Sequence, residues 1–333
     1  MRIIAALFVL LFAMLPSGLG AQTMALAPGL FWLPGHHAPG AQPDGNSVLL
    51  RGASGWVIVD SGRHAVHTQA LLDFISTGDE HGEQPLFIIN SHWHLDHLGG
   101  NALLRRARPG LQAYASAALG KALQGWLADY QRQLEGLLAS GDLDPVSRAS
   151  ADIDLALLQQ AQALRPDHLI EGGPQPLTLA GRRLRVGVLG TAVSGGDVWV
   201  LDLETNTLIS GDLLTLPVPF LDTACPEGWL RALDALAEER FERVIPGHGP
   251  VLARVDFDRY RAAYAGLLRC AASESTAAQC GEAWLSALGP LVAAEEQPRA
   301  RQMLAYYLEH SLRSEKQRLR FCAPESAGLP ERH

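Results

Sequence analysis

Along the chain, short apolar runs bounded by turn residues alternate with two longer stretches of helical periodicity. Leu30-Phe31-Trp32-Leu33, Ser47 to Arg51 and Trp56-Val57-Ile58-Val59-Asp60 predict strands joined by tight loops. His64 to Phe74 predicts a helix, Pro85 to Asn90 a buried strand and Leu111 to Tyr114 another, which gives a βββαβ run. From Ala115 to Leu164, Leu123, Trp126, Leu127, Tyr130 and Leu134 recur at helical spacing, so 115–164 is expected as a helical insertion, broken at Gly141 to Pro145. Strands return at Leu177 to Leu179, Arg183 to Val188, Val198 to Leu203 and Thr207 to Ser210, followed by a helix over Glu227 to Glu239 and the strand Val244-Ile245. The second half thus echoes the first in element order, though not in sequence. Beyond Pro250 the pattern is helical, with Phe257, Tyr260, Tyr264, Leu267 and Leu268 on one face and a later stretch, Arg299 to Leu319, that Pro298 introduces. Residues 252–333 are expected as an α-helical extension packed on a β-rich body at 28–251, with the basic end Arg313 to Arg320 a solvated face.

The N-terminus stands apart from this pattern. Arg2, the apolar run Ile3 to Leu15 and then Pro16-Ser17-Gly18-Leu19-Gly20-Ala21 have the layout of a secretory signal peptide. The run is shorter than the roughly 20 residues a membrane span needs. Residues 1–20 are therefore expected to be removed, with the cut between 20 and 27, leaving a periplasmic or secreted chain without a membrane span. Four cysteines, Cys225, Cys270, Cys280 and Cys322, suit an oxidising compartment. The closeness of Cys270 and Cys280 favours a local staple, which leaves Cys225 with Cys322; four buried thiols is the alternative. With 47% hydrophobic and 19% charged residues the chain can bury a sizeable core, and its net charge of -8 offers no footprint for nucleic acid. The expected partner is a small-molecule substrate, and the C-terminal helices offer a surface for a protein partner.

The densest chemistry lies in Asn90-Ser91-His92-Trp93-His94-Leu95-Asp96-His97-Leu98-Gly99-Gly100-Asn101, directly after a predicted strand. Imidazole and carboxylate both ligate zinc at about 2.0–2.2 Å, and four such groups exceed what one open site needs, which points to two adjacent sites. Alternation along an extended segment would send His92, His94 and Asp96 to one side, with a turn at Gly99-Gly100 bringing His97 round. Asp212, expected directly after a strand, and His248, held in Pro246-Gly247-His248-Gly249, would be turn residues if read alone. Beside the histidine cluster they read as further ligands. His36 and His37, in a Gly/Pro-rich loop, are substrate-side candidates. His64, His67, His81, His168, His310 and His333 have no partner spacing and are expected at the surface, and Trp93 is expected to pack below the site. No G-x-S-x-G elbow or Walker loop is present.

His92-x-His94-x-Asp96-His97, Gly211-Asp212 and the His248 turn resemble the metallo-β-lactamase superfamily over about residues 29–251. The resemblance implies an αββα four-layer sandwich with the site at the sheet edges. It assigns His92 and His94 to one metal, Asp96, His97 and His248 to the other, and Asp212 as the bridge. Asp60, in Val59-Asp60-Ser61-Gly62, matches the superfamily's Asp-x-Gly turn and is expected to support the ligands from behind. The leader and helical tail are similar to those of periplasmic metallohydrolases associated with quinoprotein oxidation systems. One position departs from the pattern: Val193 stands where another histidine is usual, and valine cannot coordinate. The first site would be weakened and leave an apolar wall beside His92 and His94 for a substrate group. These readings lead to an exported zinc hydrolase in which Asp96 orients water toward an ester, thioester, lactone or β-lactam. One zinc per chain is favoured over two. Iron is not excluded, since His92, His94 and Asp212 form a two-histidine, one-carboxylate set. The competing reading is a non-catalytic, metal-depleted accessory protein of the same fold.

Overall fold

The computed structural model describes residues 22–36, 42–79 and 84–322. The expected leader at 1–20, His37, His81, His333 and the tail from 323 lie outside the described residues.

Strands β1 (Met24–Ala27), β2 (Leu30–Leu33), β3 (Ser47–Gly52) and β4 (Gly55–Val59) form an antiparallel meander. Helix α1 (Ala65–Ser76) then carries the chain over to β5 (Leu86–Ile89), parallel to β4. Two short helices, α2 (Leu95–Leu98) and α3 (Asn101–Ala107), lead to β6 (Gln112–Ala115). The inserted segment holds α4 (Ala117–Gln124), α5 (Trp126–Ser140), α6 (Pro145–Leu158) and α7 (Ala161–Leu164), and ends at β7 (His168–Leu169). These seven strands make one sheet in sequence order.

The second sheet repeats the plan. β8 (Gln175–Leu179), β9 (Arg182–Leu189), β10 (Asp197–Asp202) and β11 (Thr207–Thr215) are antiparallel, and α8 (Pro226–Ala237) crosses to β12 (Arg243–His248), parallel to β11, with β13 (Leu252–Ala253) at the edge. The C-terminal helices are α9 (Arg254–Ala271), α10 (Ala277–Leu288), α11 (Gln297–Tyr307), a π turn over Leu308–Leu312, and α12 (Glu315–Cys322). That turn and Ser314 break the single helix expected from Arg299 to Leu319.

The continuous apolar strands follow from burial on both faces. Along β4, Val57 and Val59 face the layer between the sheets, while Trp56 and Ile58 pack outward with Leu71 and Ile75 of α1. Along β10, Val198 and Val200 face inward, and Trp199 and Leu201 pack outward into the cluster that holds Trp229 of α8 and Phe257, Tyr260 and Tyr264 of α9. The result is an αββα sandwich. The helical insertion has its own apolar cluster, which Trp93 and Leu95 join.

Both cysteine pairs stand at disulfide geometry: Cys225–Cys322 with Cα atoms 4.8 Å apart, and Cys270–Cys280 at 5.6 Å, the latter stapling α9 to α10. Among the described residues no helix is long and apolar enough to cross a membrane. His67, expected at the surface, is buried against Ser47 Oγ, and His64 pairs with Asp44.

Candidate metal centre

The chemistry gathers where the parallel strands of each sheet end, the edge at which loops present side chains. Asp60 follows β4, Ser91 and His92 follow β5, and His248 closes β12. Asp212 lies within β11 rather than after it, because the strand runs on past a register shift at Gly211, where φ is +51°. Close approach sets the local sequence: a Cβ on Gly247 would stand 2.0 Å from Asp212 Oδ1, and one on Gly45 would stand 2.4 Å from the His97 ring.

The segment from His92 to His97 is not extended. His94 caps α2, which carries Asp96 and His97, so a helical turn delivers these two ligands instead of strand alternation or the Gly99-Gly100 turn. His97 Nε2 lies 3.1 Å from Asp212 Oδ1, 3.4 Å from His248 Nε2 and 3.6 Å from Asp96 Oδ2. His248 Nε2 is 3.0 Å from Asp96 Oδ2 and 3.6 Å from Asp212 Oδ1. Donors about 2.0–2.1 Å from a tetrahedral zinc stand roughly 3.3–3.4 Å apart, so the trio Asp96, His97 and His248, at 3.0–3.6 Å, fits one ion. Both carboxylate oxygens of Asp212 and Nε2 of His92 are buried without a hydrogen-bond partner; the 3.1 Å approach of His97 lacks hydrogen-bond alignment. Buried acceptors left bare are costly, and a cation among them would satisfy them.

The supporting hydrogen bonds leave the Nε2 atoms of His92 and His97 free as donors to a metal. Asp60, at φ +62°, accepts the His97 Nδ1–H at 2.8 Å, the Ser91 backbone N–H at 2.7 Å and the Ser91 hydroxyl at 2.6 Å. Having donated its proton to Asp60, Ser91 Oγ accepts from His92 Nδ1 at 3.0 Å. One carboxylate therefore sets the tautomer of two histidines.

His94 is placed differently. Two groupings of metal-competent donors occur among the described residues, His92 with His97 and Asp212, and Asp96 with His97 and His248; His94 belongs to neither. Its Nε2 is 2.9 Å from Thr223 Oγ1, and that hydroxyl donates at 3.1 Å to the carbonyl of Val193. The Val193 side chain is fully buried in the core outside the second sheet and does not line the cleft, so it forms no apolar wall beside the histidines. Thr223 thus bridges the Val193 carbonyl and the His94 ring.

The electrostatics are those of a carboxylate-rich donor set without its cation. Burial alone would depress His97, but Asp212, Asp96 and Asp60 outweigh it and hold this imidazole well above its usual range. Burial and the neighbouring His97 and His94 push His92 well below the usual range. Asp96 is held well below the usual carboxylate range, since His97, His248 and Arg63 outweigh the cost of burial. A metal needs neutral His97, so zinc affinity is expected to rise with pH by up to about tenfold per unit until the raised imidazole value is passed. Chelator competition between about pH 6 and 8 reads this slope. A flat profile would mean that His97 carries no proton in the metal-free protein.

Above the donors opens a cleft of about 510 Å³ with Asp96, Asp212 and His94 in its lining. The insertion supplies Trp126, Leu127, Tyr130 and Asp154, and α11 supplies Arg299, Met303 and Tyr307. Trp93 contributes to this wall, its ring centroid 5.0 Å from that of Trp126 and tilted to it by 46°. Arg63, also in the lining, hydrogen-bonds Asp154 and lies 3.8 Å from Asp96 Oδ1; Tyr130 donates to Asp154 at 2.8 Å. The described candidate His36 is exposed and absent from the lining. Sequence reading missed Ser91, Arg63, Asp154 and Thr223. Only the adjacency of Ser91 to His92 offered a signal.

Three solved structures illustrate the fold likeness. A metallo-beta-lactamase from Pontibacter korlensis is 18% identical, with TM-score 0.53 over 74% of this chain and 99% of its own. The FIM-1 enzyme of Pseudomonas aeruginosa, in its mono-zinc form, is 18% identical with TM-score 0.52, over 73% and 94%. The sec-alkylsulfatase Pisa1 from a Pseudomonas species is 16% identical with TM-score 0.57, over 87% of this chain and 50% of its own. No curated protein matches the chain. The profile of the Metallo-beta-lactamase superfamily matches residues 41–248, which run from β3 to β12 and hold every candidate ligand, and the chain belongs to that superfamily.

Proposed function

We propose that the chain is an exported, zinc-dependent hydrolase that directs water onto a small-molecule ester, thioester, lactone or β-lactam. The observation that carries this reading is the convergence of Asp96, His97 and His248 at metal-ligand spacing, beside Asp212 and His92, beneath a cleft of substrate size. Export is supported by the leader pattern and the two cysteine pairs. When bound, zinc brings the pKa of water toward about 7 and polarises the oxygen that gains charge.

The chain's own residues do the rest. Asp60 keeps His97 and His92 with Nε2 bare. Asp96 presents Oδ2 to the other donors, which leaves Oδ1 to orient the attacking water by accepting its hydrogen bond. Arg63, held by Asp154, stops this carboxylate from turning away. Trp93, Trp126 and Leu127 exclude bulk solvent from the reacting face. With His94 engaged by Thr223 and Val193 unable to coordinate, one zinc per chain is favoured.

The test is elemental analysis of the mature chain purified from the exporting compartment, followed by a screen of the four substrate classes with and without a chelator. About one zinc per chain, and hydrolysis that chelation abolishes and zinc restores, is the expected result. A chain that takes up no zinc when it is offered would sink the proposal and favour a non-catalytic accessory protein.

A further inference from the structure

We infer that the cleft selects substrates bearing an anionic group separated from the scissile bond by an apolar segment, and that Arg299 anchors the anion. The inference rests on the proposed function only in taking this cleft as the substrate site. Arg299, Met303 and Tyr307 recur at i, i+4 and i+8 on α11, so one helix face contributes a wall whose ends are about 12 Å apart. The Tyr307 end is the metal side: its hydroxyl donates to Asp222 Oδ2 at 2.9 Å, and the next residue, Thr223, holds His94. Met303 lies between the ends on the same helix face, and the rings of Phe220 and Trp126 also line the cleft, which suits an alkyl or aryl body.

The charges around the cleft leave Arg299 uncommitted. Arg63 is neutralised by Asp154 and Asp96, and the Asp96 and Asp212 carboxylates belong to the donor set. Asp222 accepts from Tyr307 and also lines the adjoining recess, where Arg320 is present. Arg299 is exposed and has no ion pair or hydrogen bond among the described residues. A planar guanidinium at the end of an apolar wall is a bidentate seat for carboxylate or a similar oxyanion. Since α11 lies beyond residues 41–248, this subsite belongs to the chain's own extension.

The experiment measures binding rather than turnover, so it stays readable even if every substrate in the hydrolase screen fails. Zinc-loaded full-length mature protein is titrated calorimetrically with 4-phenylbutyrate and with its uncharged analogue 4-phenylbutanamide. The carboxylate is expected to bind about tenfold more tightly, the strength of one charge-assisted hydrogen-bonded pair at a partly exposed site. Arg299→Gln is expected to abolish that preference and leave amide binding unchanged, which shows that the cleft is intact. Equal binding of the two probes by the natural protein would overturn the inference. So would a preference that survives in Arg299→Gln, because the anion would then be held by the metal.

Discussion

Asp60→Asn is expected to weaken zinc binding by about 10–100-fold, or roughly 1.4–2.7 kcal/mol, while leaving every ligand in place. Asp60 is an acceptor at both oxygens, and asparagine replaces one with a donor. If Oδ1 keeps the Ser91 N–H, the new amide faces Ser91 Oγ and His97 Nδ1, the two groups that Asp60 Oδ2 now receives at 2.6 and 2.8 Å. His97 Nδ1 must then accept, which places its proton on Nε2, the atom that faces Asp212, Asp96 and His248. Ser91 is likewise turned to donate to His92 Nδ1, and His92 Nε2 gains a proton too. Both rings become donors toward the metal position. Asparagine tolerates the positive φ of this residue, so the fold should be kept. Chelator competition gives the affinity, and thermal unfolding of the metal-free protein serves as the control. Unchanged affinity would show that Asp60 does not set these tautomers. Asp96→Ala/His248→Ala, which removes two of the three donors in the group that includes His97, should retain no measurable zinc.

The largest effect on stability is expected from Arg182→Met, at about 3–5 kcal/mol. Arg182 is 3% exposed and binds the fully buried Asp202 through two parallel hydrogen bonds, Nε to Oδ1 at 2.8 Å and Nη2 to Oδ2 at 2.6 Å. Its remaining nitrogen reaches Glu204 at 2.9 Å and the Arg51 carbonyl of β3, so it ties the second sheet to the first. Removing the guanidinium leaves a buried carboxylate whose charge nothing of comparable strength balances. The destabilisation comes from that orphaned charge more than from the loss of the pair itself. Arg182→Met/Asp202→Leu should therefore recover most of the loss. Urea unfolding at fixed pH with the disulfides intact measures both variants. A double variant no better than the single one would assign the effect to packing instead.

What sequence reading made legible at the site shares one property: the informative residues lie close together or beside a glycine. His92, His94, Asp96 and His97 fall within six positions, and Asp212 and His248 adjoin glycine turns at predicted strand ends. The route by which they meet was misread, because alternation presumes an extended segment, whereas Leu95–Leu98 is a helical turn. Asp212 was placed past its strand because the irregularity at Gly211 looks like an end when only propensity is considered. The partners left unseen are remote in the chain. Arg63 meets Asp154 91 residues away, and His94 meets Thr223 129 residues away. No local pattern encodes such pairs.

By itself, the sequence determined the two βα halves, the helical insertion and extension, and the types of donor available, because periodicity and ligand chemistry are local properties of the chain. Only the tertiary structure decided which donors converge. It grouped Asp96 and His248 with His97, and His92 and Asp212 with the same ring, diverted His94 to Thr223, buried Val193 away from the cleft and brought Arg299 of the C-terminal helices to its wall. The physical reason is that donor spacing of a few ångströms is set by how two sheets and their outer helices pack. That packing depends on apolar burial across the whole chain, of which each motif carries only its own part.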